Sequence, residues 1–144
     1  MRSVLEFIKT HEDAVLPTKN HVNDTGYDVY SIKSVCIPAR GSNIVPVGLQ
    51  FAYIPEDYWV RVESRSGLGF KHGIMAHPGI IDNGYRGDAG IKLYNLTEKD
   101  YTVSRGDRIA QFVLYPLISN VTVGFTEVVA ESDRGDKGFG SSGK

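Results

Sequence analysis

The sequence holds a single cysteine, Cys36, which excludes an internal disulfide. A lone thiol suits a reducing compartment, so an intracellular protein is expected, cytoplasmic or else nuclear or in a virus-infected cell. No apolar run approaches the ~18 residues that a membrane-spanning helix needs, and no membrane partner is expected. The first residues lack the basic and apolar blocks of a signal peptide. Positive charge is not in excess either. Sixteen Lys and Arg face seventeen Asp and Glu, for a net charge of −1, so direct nucleic-acid binding is not expected. No long stretch keeps an apolar stripe at i, i+3, i+4 and i+7, which argues against a helical bundle. With 144 residues the chain is long enough for one well-cored domain and too short for two.

What the chain has is short alternating segments and glycine. Residues 59–63 put Val60 and Val62 on one face with charged groups on the other, and residues 89–95 do the same with Ile91 and Leu93. Residues 4–8, 44–51, 109–115 and 121–129 are further predicted strands, rich in β-branched and aromatic residues. Turn signals separate them at short intervals, as at Asn83-Gly84 and Arg105-Gly106-Asp107. The pattern predicts an all-β sandwich, jelly roll or barrel over residues 1–130. Residues 131–144 differ in kind. They carry four glycines, three serines, six charges and one large apolar side chain, Phe139. Such a segment cannot fold by itself and is either a frayed end or an arm that closes over a ligand.

Five clusters carry chemistry. The tail Gly138-Phe139-Gly140-Ser141-Ser142-Gly143-Lys144 fits two nucleotide-binding glycine patterns, but both require a flanking strand and helix that the sequence around it does not offer. The underlying physics still applies: bare backbone N–H groups and serine hydroxyls suit phosphates, Arg134 can clamp one, and Phe139 can stack on a base. Ser64-Arg65-Ser66-Gly67-Leu68-Gly69 is a second anion-suited segment, or an ordinary turn using Gly67 at positive φ. His77 to Gly87 reads as a β-hairpin turning near Asn83-Gly84. Asp82 lies beside that turn, either as a turn aspartate bonded to its own backbone or as an active carboxylate, with Tyr85 close by. Gly106-Asp107-Arg108-Ile109-Ala110-Gln111 places a polar Gln111 in an apolar strand. Asp24-Thr25-Gly26-Tyr27-Asp28-Val29 places Asp28 at a strand start.

In this order the five clusters resemble the motifs of the trimeric dUTP pyrophosphatases (dUTPases), from about residue 14 onward. The resemblance implies a β jelly roll, or distorted barrel, that assembles as a homotrimer with active sites at subunit interfaces and a mobile C-terminal arm. It implies that dUTP is hydrolysed to dUMP and pyrophosphate, limiting uracil in DNA and supplying dUMP. Asp82 would activate a water against the α-phosphorus. Arg65, Ser66, Gly67 and Gln111 would hold phosphates, joined on arm closure by Arg134, Phe139, Gly140 and Ser141. Gly79, Ile80 and Ile81 would read the uracil edge and Tyr85 would lie under the sugar. Mg²⁺ would be held mainly by substrate phosphates, with Asp28 reaching it through water. The chain departs from the family pattern at Ser64 (usually proline), Ala76 (often asparagine) and Gly84 (usually aspartate), the last implying a looser hairpin tip. The alternatives on the same fold are a dCTP deaminase-like enzyme and a nucleotide-sensing interaction protein.

Overall fold

The computed structural model describes residues 3–138. Among them the chain forms β1 (Glu6–Lys9), β2 (Gly26–Tyr30), β3 (Val35–Ile37), β4 (Ser42–Val45), β5 (Leu49–Tyr53), β6 (Tyr58–Glu63), α1 (Ser66–His72), β7 (Ile74–Ala76), β8 (Gly79–Ile81), β9 (Ile91–Asn95), β10 (Tyr101–Val103) and β11 (Arg108–Pro116). Every pairing between these strands is antiparallel. The sheets run β1-β5, β10-β3, β2-β11-β6-β8 and β4-β9-β7, wrapped around one apolar core as a distorted barrel. No helix among the described residues is long and apolar enough to cross a membrane.

The alternating segments bury the faces their periodicity predicts. Val60 and Val62 of β6, and Ile91 and Leu93 of β9, are core residues. The predicted strand at 44–51 is instead two strands. Pro46 has no N–H to give a ladder, and Gly48 takes a φ of +68° where an added Cβ would meet His11 and Ala14 at 3.0 Å. The chain therefore turns a corner there. At the centre, Phe51 packs against Phe7 and Phe112 with ring centroids 4.9 and 5.5 Å apart. Its edge also meets Tyr85 at 5.9 Å, which ties the core to a predicted site residue.

Three expectations are corrected. Residues 121–129 form no strand, and Val121, Val123, Phe125, Val128 and Val129 are all exposed. A strand needs a free edge to pair with, and this segment meets none among the described residues. Among the described residues the last backbone tie to the body is Leu117 N–H to the Asp57 carbonyl, at 2.7 Å. Second, residues 66–72 form a short helix where a turn with Gly67 at positive φ is one reading. The left-handed residue is Gly73 (φ +64°), whose N–H bonds the last-turn carbonyls as a C-cap. A helix of two turns is too short to leave a periodic stripe. Third, the turn after β8 does not close a hairpin. β8 pairs with β6, and β9 pairs with β4 and β7. A tight Asn-Gly hairpin needs positive φ at both residues, and neither Asn83 nor Gly84 has it.

Phe51 is fully buried, so Phe51→Ala should cost about 3–5 kcal/mol of stability. Urea unfolding checks this; an unchanged midpoint would show that the aromatic cluster is not the centre of the core.

Candidate active site

The segments with chemical promise fall into two groups. The first is a cleft of about 250 Å³ lined by Asn20, Asp24, Thr25, Gly26, Asp28, Arg65, Ser66 and Gln111. Antiparallel register builds it: Gln111 in the middle of β11 faces Asp28 of β2 on one side and Glu63 of β6 on the other. Arg65, at the N-cap of α1, donates from Nε to Asp28 Oδ1 at 3.0 Å. The pair is largely shielded, with side chains 29% and 15% exposed. Gln111 donates from Nε2 to the Ser64 carbonyl at 2.9 Å. Ser64 also accepts the Ala76 N–H on its hydroxyl at 2.9 Å, a bond that fastens the end of β6 to β7 and that a proline there could not make.

Two glycines shape this cleft. A Cβ at Gly26 would stand 1.9 Å from Gln111 Oε1, so only glycine lets the amide lie across β2. Gly67 is exposed with open space where its Cβ would be, so a ligand can reach the backbone of the first turn of α1. The N–H groups of that turn have no partner within the helix, and Arg65 supplies no side-chain cap. A positive guanidinium, an amide, a hydroxyl and bare N–H groups side by side suit phosphate oxygens.

The second group surrounds the end of β8. Gly79, Ile80 and Ile81 pair with Val62, Arg61 and Val60 of β6 on one side only, leaving a free strand edge of backbone donors and acceptors. Asp82 follows. Its backbone carbonyl takes the Tyr85 N–H at 2.9 Å, while its carboxylate is exposed and has no partner among the described residues. The Tyr85 hydroxyl donates to the Asp88 carbonyl at 2.9 Å. Its ring lies over Gly87, where a Cβ would stand 2.6 Å from Tyr85 Cζ.

One chain does not bring the two groups together. Ile81 is level with Val60, so Asp82 falls level with the Trp59–Tyr115 pair, four residues along β11 from Gln111. At ~3.3 Å per residue and ~4.8 Å per strand, Asp82 and Gln111 are about 16 Å apart. Arg134 reaches neither group. It donates to the carbonyls of Lys137 (2.7 Å) and Gly138 (2.9 Å) in its own turn. Phe139, Gly140 and Ser141 lie outside the described residues.

A family model described as dUTPase matches residues 12–143. The chain belongs to the dUTPase family. Among curated relatives, the deoxyuridine 5'-triphosphate nucleotidohydrolase of Candida glabrata is 39% identical over 99% of this chain and 98% of its own. That of Oryza sativa subsp. japonica is 41% identical over 97% and 81%. Among solved structures, the Staphylococcus bacteriophage 80alpha dUTPase with dUpNHpp superposes with a TM-score of 0.85 at 30% identity, over 99% of this chain and 100% of that one. A mutant dUTPase of S. aureus phage phi11, described as coordinating a structural Mg(II) ion, gives 0.79 at 25% identity over 89% and 99%.

Several shaping residues of this dUTPase escape a motif reading. Ser64 stands out only as a departure from the pattern, yet it joins three strands. Gly26 and Gly87 look like turn glycines, yet each makes room for a neighbouring side chain. Gly26→Ala should push the Gln111 amide off Ser64, destabilising the fold by about 1–3 kcal/mol. The Gln111 side-chain amide resonances should also move in a nitrogen–proton NMR spectrum. An unmoved spectrum would contradict the close approach.

Proposed function

We propose that this dUTPase cleaves dUTP between the α- and β-phosphates to dUMP and pyrophosphate, with Asp82 aiming the attacking water. Asp82 carries the reading: an exposed, uncommitted carboxylate at the end of an edge strand. The carboxylate accepts one proton as the water oxygen bonds to the α-phosphorus, and pyrophosphate leaves from the opposite side. Little covalent chemistry falls to the protein. Its task is to hold the phosphates and align the water.

The phosphates sit against Arg65, Ser66, Gly67 and Gln111, and Arg134, Gly140 and Ser141 join them when the C-terminal arm closes with Phe139 over the base. The free edge of β8 offers Gly79, Ile80 and Ile81 backbone groups to the uracil edge. Cytosine presents a donor where uracil presents an acceptor and would leave a buried group unpaired. Tyr85, held by Gly87, Phe51 and the Asp88 carbonyl, lies under the sugar and leaves no space for a 2′-hydroxyl.

Magnesium fits the donor chemistry of the cleft. Asp24 and Asp28 both line it, and one oxygen of each is engaged, by the His21 N–H and by Arg65. Among the described residues no three His, Cys, Asp or Glu stand together as a cage. Asp28 would therefore hold the ion through water, with substrate phosphates as the main ligands. When bound, the ion neutralises triphosphate charge.

The separation of about 16 Å between Asp82 and Gln111 supports a site shared between copies, since both must lie within reach of one triphosphate. The exposed apolar residues of 121–129 support the same reading, because among the described residues that segment has no strand partner and a second copy would supply one. A homotrimer is the assembly we propose. No feature of the site favours a deaminase or a purely sensing role.

Pyrophosphate release from dUTP, dCTP, dTTP and UTP, measured side by side, should be confined to dUTP. Asp82→Asn should abolish it while leaving dUTP binding largely intact; unchanged release would remove Asp82 from its role.

A further inference from the structure

We infer that Asn83 is a positioning residue for the hydrolytic step, its side-chain amide locking the turn that carries Asp82 to the β5–β6 connection. The inference rests on the reading of Asp82 as the group that aims the water. Among the described residues the Asp82 carboxylate makes no hydrogen bond or ion pair, so its placement depends on its neighbours. On its N-terminal side Ile81 is held in the ladder with Val60. On its C-terminal side the chain enters Asn83-Gly84, whose backbone has one closing bond, Tyr85 N–H to the Asp82 carbonyl. A turn with a glycine and one such bond is too soft to aim a carboxylate.

Asn83 supplies the missing stiffness. Its Nδ2 lies 2.8 Å from the Tyr58 carbonyl, 3.0 Å from that of Pro55 and 3.4 Å from that of Ile54. The amide thus plugs a ring of three carbonyls. Ile54 and Pro55 are buried, so these oxygens have little water to replace the amide. The receiving turn is itself rigid: Asp57 holds a φ of +67°, Tyr58 N–H bonds the Pro55 carbonyl at 3.2 Å, and Leu117 N–H bonds Asp57. Arg86 closes the other side, donating from Nη1 to the carbonyls of Asn83 and Tyr85 at 2.8 Å each. The tip that Gly84 suggests is loose is therefore pinned from two directions.

A donor is what the ring of carbonyls requires. Asn83→Asp keeps the side-chain shape and removes both amide hydrogens, leaving oxygen against oxygen. The expected effect is a fall in kcat of about 10- to 100-fold, the range that a shift of about 1 Å in a catalytic group produces. KM for dUTP should change by a smaller factor than kcat, because the phosphate-holding groups lie elsewhere and Tyr85, on the same turn, is also held by Phe51 and the Asp88 carbonyl. Asn83→Gln, which restores the donor on a longer arm, should recover part of kcat. Asn43→Ala is the control: it deletes an amide-to-carbonyl bond, Asn43 Nδ2 to Cys36 at 3.1 Å, on β4, a strand that carries none of the assigned site residues. It should lower the melting temperature and leave kcat intact.

All variants are assayed well below their melting temperatures, with Asp82→Asn in parallel. Wild-type kcat in Asn83→Asp overturns the proposal, as does an equal fall in Asn43→Ala. Full activity in Asp82→Asn would instead sink the reading on which the proposal stands.

Discussion

Antiparallel pairing across β2, β11, β6 and β8 decides where each chemical group of this protein can be. The register Asp28–Gln111–Glu63 gathers the phosphate-suited residues at one end of the sheet. The register Val60–Ile81 sends Asp82 out beyond the other end. Side chains in a sheet repeat every two residues and strands repeat at a fixed spacing, so this distance cannot be closed by rotamer changes. The same ladder that gives each half-site its rigidity keeps Asp82 and Gln111 of one chain about 16 Å apart.

The rest of the architecture serves that division. Phe51 sits at the centre of the core and also presents its edge to Tyr85, so packing energy and site geometry share a residue. Glycines act by absence: Gly26 admits the Gln111 amide and Gly87 admits the Tyr85 ring. Ser64 fastens β6 to β7 and β11 at the mouth of the Asp28–Arg65–Gln111 cleft.

Much of this was legible in the sequence, for physical reasons that particular residues make clear. Val60, Val62, Ile91 and Leu93 alternate with polar neighbours, and the period-two rule needs nothing more. Asp28, Arg65 and Asp82 stand near glycines, where turns expose chemistry, and Gln111 stands out as a polar residue in an apolar strand. What stayed hidden depended on partners distant in the chain. Residues 121–129 have the composition of a strand, but pairing requires an edge, and composition does not say whose. Asn83 looked like half of a hairpin signal, and only its contacts with Pro55 and Tyr58 show it as an anchor. The helix at Ser66–His72 is too short for periodicity to betray.

The central claim is that catalysis draws Asp82 and the Arg65–Gln111 cleft from different copies. Subunit complementation tests it most directly: inactive Asp82→Asn and inactive Arg65→Ala chains are unfolded together, refolded as a mixture and assayed for pyrophosphate release from dUTP. Random mixing of equal amounts should restore about a quarter of wild-type activity, since that share of sites draws each intact half from the right chain. A mixture as dead as its two components would mean that each chain builds its site alone, and the account would be wrong.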